Sequence, residues 1–484
     1  MTPTPPAAPR APRSRVPRPQ APGGGGTAPE LLELDAGAPA HGGFCVARKD
    51  DDPTGVVVLV RHCLPGERVR ARVTARASRV WYAEAVEVLR ASPDRVSPVW
   101  AEAGPGGVGG GELSHVALGA QRTWKRWVLA DCLRRIGGGD VVQAVEALPG
   151  AAPGQAVAVE AMPSELAAQA SDDPRTRARA GTRTRTRVSL EVTAQGRAGM
   201  HGFRSGQVLE VRQLPLAVAP IQQLGLTQDR RWRHHYRPGA RLTAVAPSTG
   251  EPLVVVGEEV LTARARPTGR RRVTEVVDAT ALGLGELRYQ VHVGGFWQVH
   301  RDAPRVLTER VVRAVVEDHP AAAGGHPGPG ALRADGLRVL ELYSGSGLLT
   351  LPLAALGARV TCLEGSAQAV ADARRNLHDH PDARLVTGAV TADSVTELGS
   401  SFGPGRGADV VVLDPPRRGA GRQVVEAVAA LGPSRVVLVA CDPAALARDL
   451  AAFLGLGFRL GDLAALDMFP HTHHLEAVAV LERA

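Results

Sequence analysis

The chain has 484 residues, 44% hydrophobic and 22% charged, ordinary values for a soluble globular protein, and at roughly 150 residues per domain it divides into about three. Its net charge of +8 favours an anionic partner such as nucleic acid, although only Lys49 and Lys125 are lysines and the arginine excess runs with an Ala-, Gly- and Pro-rich composition. No apolar run approaches the roughly 20 residues of a membrane span, and five scattered cysteines with no CxxC pair rule out a readable zinc knuckle or disulfide framework.

Residues 1–26 hold eight prolines, four arginines and no acid. Such a segment cannot bury enough apolar surface to offset its ordering entropy, so a disordered tail is expected. It has no apolar signal core, which predicts a cytoplasmic protein. Residues 27–92 read as short alternating strands (LLELDAG, GGFCVAR, GVVVLVRH, ERVRARVTA, VWYAEAVEVL) split by Gly, Pro and Asp clusters. That spacing predicts a small OB-like β-barrel, which either binds single-stranded nucleic acid or serves as a scaffold.

Residues 93–275 predict a mixed α+β central domain. After the glycine-rich stretch 104–111, apolar residues recur at helical spacing at Leu118, Trp124, Trp127, Val128, Cys132 and Leu133. Arg183, Arg185 and Arg187 alternate with threonines, which places all three on one face of a strand. Arg230, Arg231, Arg233 and Arg237 interleave with Trp232, His234, His235 and Tyr236. Basic and aromatic side chains together suit phosphates and stacked bases; a solvated face is the plainer alternative.

Over residues 276–484, and clearly from about Arg338, the rhythm becomes strand–helix–strand. RVLEL, ARVTCLE, ADVVVLD and RVVLVA are compact apolar runs suited to a parallel sheet buried on both faces. A Rossmann-like, doubly wound α/β domain follows, with ligands at the carboxyl ends of its strands. Each strand ends in a residue with chemical use. Glu341 leads into Tyr343-Ser344-Gly345-Ser346-Gly347; Gly345 and Gly347 let the backbone approach a ligand. The third glycine of a dinucleotide fingerprint is replaced by Thr350, and the acidic-x-x-x-Gly-x-Gly form suits S-adenosylmethionine (SAM). Glu364 can accept hydrogen bonds from both ribose hydroxyls. Asp414-Pro415-Pro416-Arg417 lacks the aromatic of amine methylation and the cysteine of cytosine-C5 enzymes. Cys441 follows a buried strand at the ligand edge and is a candidate nucleophile, with Glu476 as the natural proton acceptor beside it. His471, His473 and His474 invite a metal, but no second ligand cluster is legible and no metal is expected.

These stretches resemble the RNA uracil-C5 methyltransferase family, in the branch with an N-terminal TRAM barrel. The matching segments are FWQVH (296–300), VLELYSGSG (339–347), LEG (363–365), LDPPRRGAG (413–421), ACDPAALARD (440–449) and DMFPHTHHLE (467–476). The resemblance implies that Gln298, Tyr343, Glu364 and Asp414 contact SAM, that Cys441 is the nucleophile and that Glu476 is the base. It also implies formation of 5-methyluridine in rRNA or tRNA, by a monomer with RNA as its partner and no membrane. His300, Leu348 and Asp442 depart from the family pattern. Many members hold an iron–sulfur cluster in the central domain; residues 93–131 contain no cysteine, so none is expected here. A different base methyltransferase (cytosine C5 or an exocyclic amine) and a non-catalytic RNA-binding factor are the competing readings.

Overall fold

A computed structural model describes residues 30–49, 52, 54–319, 332–402 and 407–484; the tail expected at 1–26 lies outside them. The first sheet has six strands, β1 (Leu31–Asp35), β2 (Pro39–Ala40), β3 (Phe44–Arg48), β4 (Val57–Arg61), β5 (Arg68–Arg76) and β6 (Val80–Arg90), in the order β1-β5-β6-β4-β3-β2. Period-two alternation drives it: Val69 and Ala71 of β5 point inward, while Arg68 and Arg70 point out to Asp35 and Glu33 of the paired β1.

The segment expected as one central domain divides. Helices α1 (Leu118–Cys132) and α2 (Gly139–Glu146) pack on the methyltransferase-like part, and β7 (Val159–Glu160) pairs in parallel with its edge strand. Short helices α3 (Pro163–Gln169) and α4 (Pro174–Arg177) lead to β8 (Arg187–Val192), β9 (Ala198–His201) and β10 (Val208–Glu210), then to helix α5 (Ala219–Gln223) and β11 (Arg241–Val245), β12 (Leu253–Val256) and β13 (Glu259–Thr262). These six strands form a separate antiparallel sheet, β10-β9-β8-β11-β12-β13. A hairpin, β14 (Arg272–Asp278) and β15 (Glu286–His292), runs across the expected boundary at 275/276. The reason for the division is the apolar stripe of α1. Trp124, Val128 and Cys132 are buried in one core with Leu446 and Leu450, whereas Trp127, expected in that stripe, is 51% exposed.

The remaining elements are α6 (Ala303–Val316), β16 (Arg338–Leu342), α7 (Thr350–Ala355), β17 (Arg359–Glu364), α8 (Ala367–Asn376), β18 (Arg384–Thr387), α9 (Ala392–Ser400), β19 (Val410–Leu413), α10 (Arg422–Ala430), β20 (Arg435–Ala440), α11 (Pro443–Gly455), β21 (Phe458–Leu466) and β22 (Glu476–Arg483). The sheet order is β18-β17-β16-β19-β20-β22-β21-β7. β16 to β20 are mutually parallel, and β22 runs antiparallel to both β20 and β21. Side chains of α9, α10 and α11 cover one face and those of α6 and α7 the other, which explains why the strands read as continuous apolar runs. The chain leaves β16 on one side for β17 and β18 and returns on the other for β19. A crevice therefore opens at the carboxyl ends of β16 and β19.

Candidate active site

Glu341 lies in β16, and Tyr343 just beyond the strand turns left-handed at φ 65°, a strain of about 1–3 kcal/mol for a non-glycine residue. Its N–H donates to the Leu363 carbonyl of β17 (2.8 Å), so the turn is held against the neighbouring strand. Gly345, at φ 57°, has open space where a Cβ would stand; any side chain there would intrude on the crevice. Gly347 sits behind it, where a Cβ would only touch Ala373 of α8 at 3.6 Å and the left-handed φ of 88° is what favours glycine, and it does not line the cavity. Glu364 accepts from the Gly345 N–H (3.0 Å) with one oxygen and the Ser366 N–H (2.6 Å) with the other. Its remaining lone pairs face the crevice that it lines.

Three carboxyls meet here. Burial, assisted by Asp414 and Glu364, pushes Glu341 up to about 8 against the opposing hydrogen bond from Thr350 (2.7 Å). Burial, and then Glu364, pushes Asp414 up to about 7. Thr350, which replaces the third fingerprint glycine, is thus the donor to Glu341. The two prolines after Asp414 set a rigid turn, whose far end is tied to α11. Asp449 accepts from Ala420 and Gly421 N–H, and a Cβ on Gly419 (φ 81°) would stand 2.6 Å from its carboxylate.

Strand register joins the other two residues. Ala440 of β20 lies opposite Ala477 of β22, so Cys441, one step past the end of β20, and Glu476, the first residue of β22, come side by side. Burial pushes the Cys441 thiol up to about 12, with Glu476 and Asp414 adding and Arg417 opposing. Burial, with Asp414, holds Glu476 well above the usual carboxylate range, and Arg417 again opposes. A cavity of about 890 Å³ takes its walls from Gln298, Tyr343, Gly345, Glu364, Asp414, Cys441 and Glu476. Seven of the eight site residues expected from sequence therefore face one space, Gly347 being the exception.

The β14–β15 hairpin carries Gln298 to this space. Asp372 of α8 accepts from Arg272 Nε (2.9 Å) and His292 N–H (2.7 Å), and Asn376 accepts from Gln290 N–H (2.7 Å). Tyr289 packs against Trp297 and donates to the Leu348 carbonyl (3.0 Å), so Leu348 contributes a backbone anchor here. Phe296, beside Trp297, lines the mouth and is 72% exposed. His300 lies behind Gln298, outside the cavity lining, and its Nδ1 accepts from Asp302 N–H (3.1 Å); burial lowers it to about 4. Asp442 caps α11 through Ala445 N–H (2.8 Å) and pairs with His41 in the turn between β2 and β3 (2.9 Å).

Several residues that hold the segment before Glu476 were not legible in sequence. The buried Lys125 pairs with Asp467 and donates to the Phe469 carbonyl. Gln121, one turn earlier on α1, accepts from His471 N–H (2.6 Å). Glu112 pairs with His473. The sequence shows no second ligand source for these histidines, yet Glu112, His473 and His474 bring their donor atoms within 4.8 Å of one another. The Arg417 guanidinium, 3.4 Å from His474 Nε2, opposes a cation there.

The arginine clusters also differ from expectation. Only Arg187 is in a strand; it pairs with buried Glu275. Arg185 donates to the Gly110 carbonyl (2.7 Å), and Arg183 turns left-handed at φ 54°, so the three do not share a strand face. Trp232 and Tyr236 are core residues whose Nε1–H and O–H donate to the Leu224 and Leu226 carbonyls, because buried polar tips need partners. They offer no stacking platform.

Comparison with known proteins agrees with this geometry. The family model described as tRNA (Uracil-5-)-methyltransferase matches residues 406–484. An uncharacterized RNA methyltransferase of Streptomyces avermitilis is 37% identical, over 94% of this chain and 99% of its own length. A 23S rRNA (uracil(1939)-C(5))-methyltransferase of Halomonas elongata is 32% identical, over 92% of this chain and 88% of its own. The chain belongs to the RNA (uracil-C5)-methyltransferase family. Its cofactor is SAM, and the crevice fits that cation: three carboxyls converge on a space kept open at Gly345. The fold is also that of the Pyrococcus abyssi tRNA (uracil-54, C5)-methyltransferase, solved with S-adenosyl-L-homocysteine (TM-score 0.58, 22% identity, 91% of this chain and 99% of that one). No helix among the described residues is long and apolar enough to cross a membrane.

Proposed function

We propose that this chain methylates uracil C5 in rRNA or tRNA, with Cys441 as nucleophile and Glu476 as base. The observation that carries the reading is the β20–β22 register, which sets the only thiol lining the crevice beside a buried carboxyl. When bound, SAM supplies an electrophilic methyl group. Glu364 would hold the ribose hydroxyls, and Asp414, Tyr343 and Gln298 the rest of the cofactor. Uracil C5 is too weak a nucleophile unaided. The Cys441 thiolate adds to C6, the electron pair moves into an enolate, and C5 then takes the methyl group. The Glu476 carboxylate removes the C5 proton, and the electrons of that C–H bond expel the thiolate and restore the ring. Arg417, whose charge favours both the thiolate and the carboxylate, is the cation that makes these ionised forms accessible. The target base must leave its stack to enter, and the exposed Phe296 at the mouth offers it a ring. The six-stranded first sheet is read as the TRAM-like barrel, and the chain as a cytoplasmic monomer.

Purified protein, SAM and unmodified 23S rRNA or tRNA transcripts test the reading by nucleoside mass spectrometry. 5-Methyluridine in one transcript is expected. Formation of 5-methylcytidine or an N-methylated base, or no transfer to either RNA, would sink it.

A further inference from the structure

A second cavity, of about 450 Å³, lies in the central part of the chain. Arg179, Arg183 and Arg212 line it, and no carboxylate among the described residues does. None of the three guanidinium groups makes a hydrogen bond or ion pair within the described residues; Asp173 feels the Arg179 charge from outside the cavity. Two acids lie close by: Glu102 accepts from the backbone N–H groups of Arg212 and Gln213, and Asp229, beside the lining residue Gly225, pairs with Arg231.

The walls are built rather than loose. Thr227 and Gln228 both donate to the Arg212 carbonyl (2.8 and 3.0 Å), and Gln222 donates to Ala217 (2.7 Å). Arg183 is strapped by its N–H to the Pro215 carbonyl (3.1 Å) in its left-handed turn. Three like charges aimed at one concavity repel each other, and an anion relieves that repulsion. Guanidinium forks match phosphate oxygens in geometry.

The same stretch of chain also reaches the catalytic cavity. From Arg179 and Arg183 it passes Gly181, against His471, and continues to Thr186, whose N–H donates to the Val299 carbonyl (2.8 Å) beside Gln298. Residues 179–186 thus form a wall of the basic cavity at one end and brace the cofactor segment at the other. We propose that this cavity takes a backbone phosphate of the substrate RNA, next to the nucleotide that enters the catalytic crevice. The proposal rests on the RNA methyltransferase reading above and adds a subsite to it. Of the three arginines alternating in sequence, Arg185 and Arg187 hold the fold, and Arg183 is left for the ligand.

The test uses the full chain with the transcript that it methylates. Arg183→Ala and Arg183→Ala/Arg212→Ala are compared with Arg359→Ala, an exposed arginine at the opposite end of β17. Each lost phosphate contact should flatten the log affinity against log salt slope by about 0.7 to 0.9. KM for RNA should rise roughly fivefold or more per contact, with kcat at saturating RNA and SAM affinity unchanged. An unchanged slope and KM in a parent enzyme that methylates RNA overturns the subsite alone, as does an equal effect from Arg359→Ala. A parent that neither binds nor methylates RNA overturns the functional reading as well. Inorganic phosphate, titrated as a separate probe, should compete with RNA in the parent and lose that competition in the double variant. Phosphate binding that leaves RNA affinity untouched would mark a free-ion site and refute the assignment.

Discussion

Asp414→Asn should stabilise the folded chain while weakening its hold on SAM. Burial raises the carboxyl from 3.8 to about 7, and each tenfold step in that equilibrium is worth about 1.4 kcal/mol. The ionised side chain therefore costs the fold about 4 kcal/mol. The sign follows from linkage. A carboxyl whose folded pKa lies above its unfolded value contributes stability that is fully present below about pH 4 and is lost as pH rises through about 7. Above pH 7 the parent carries the whole cost, whereas the amide never ionises. Urea denaturation at pH 5 and pH 8 reads this out: the variant's advantage should grow between the two, towards about 4 kcal/mol as an upper figure. Calorimetric titration with SAM should show the opposite trade. The parent's affinity should rise about tenfold per pH unit below 7 and level off above it, because the cofactor cation selects the carboxylate, and Asp414→Asn should lose most of this dependence. A variant no more stable than the parent at pH 8, with SAM affinity in the parent flat from pH 5.5 to 8.5, would refute the claim that a buried, costly carboxyl is kept for the cofactor.

Glu364→Ala should weaken SAM binding by about 1.5–3 kcal/mol for each charge-assisted ribose hydrogen bond lost, read by the same titration. With 5-fluorouridine in the target RNA, Cys441 should remain bonded to the base, since fluorine cannot leave as a proton. Glu476→Gln should trap a similar adduct on normal RNA, and Cys441→Ala should form none on a denaturing gel. Lys125→Met leaves Asp467 buried and unpaired, so stability should fall by about 3–5 kcal/mol; adding Asp467→Asn should restore much of it. Protein purified without oxygen should contain no stoichiometric iron or sulfide, measured by metal analysis.

Much of the site was legible because it lies at strand ends. Apolar runs define the strands, a doubly wound sheet places ligands at their carboxyl termini, and Glu364, Asp414 and Cys441 stand there in sequence. Domain limits were less legible. α1 and β7 carry apolar faces that any nearby surface could cover, and nothing local says that α11 and β21 do so. The arginine and aromatic clusters misled for a related reason. Whether Trp232 stacks on a base or fills a core depends on what lies above it, and the Leu224 carbonyl that takes its N–H comes from the fold.

Local pattern by itself determined the strands β16, β17, β19, β20 and β22, their order along the chain and the chemical kind of the crevice, since periodicity and turn chemistry act over a few residues. The tertiary structure alone decided that Cys441 and Glu476 stand together, through a β20–β22 register that pairs residues 37 positions apart at Ala440 and Ala477. It also decided that Glu112, Gln121 and Lys125 hold the segment leading to Glu476 from more than 300 residues away. Contacts of that separation arise when buried charges and amides find partners in the packed interior, and the spacing of residues along the chain carries no trace of which partners those are.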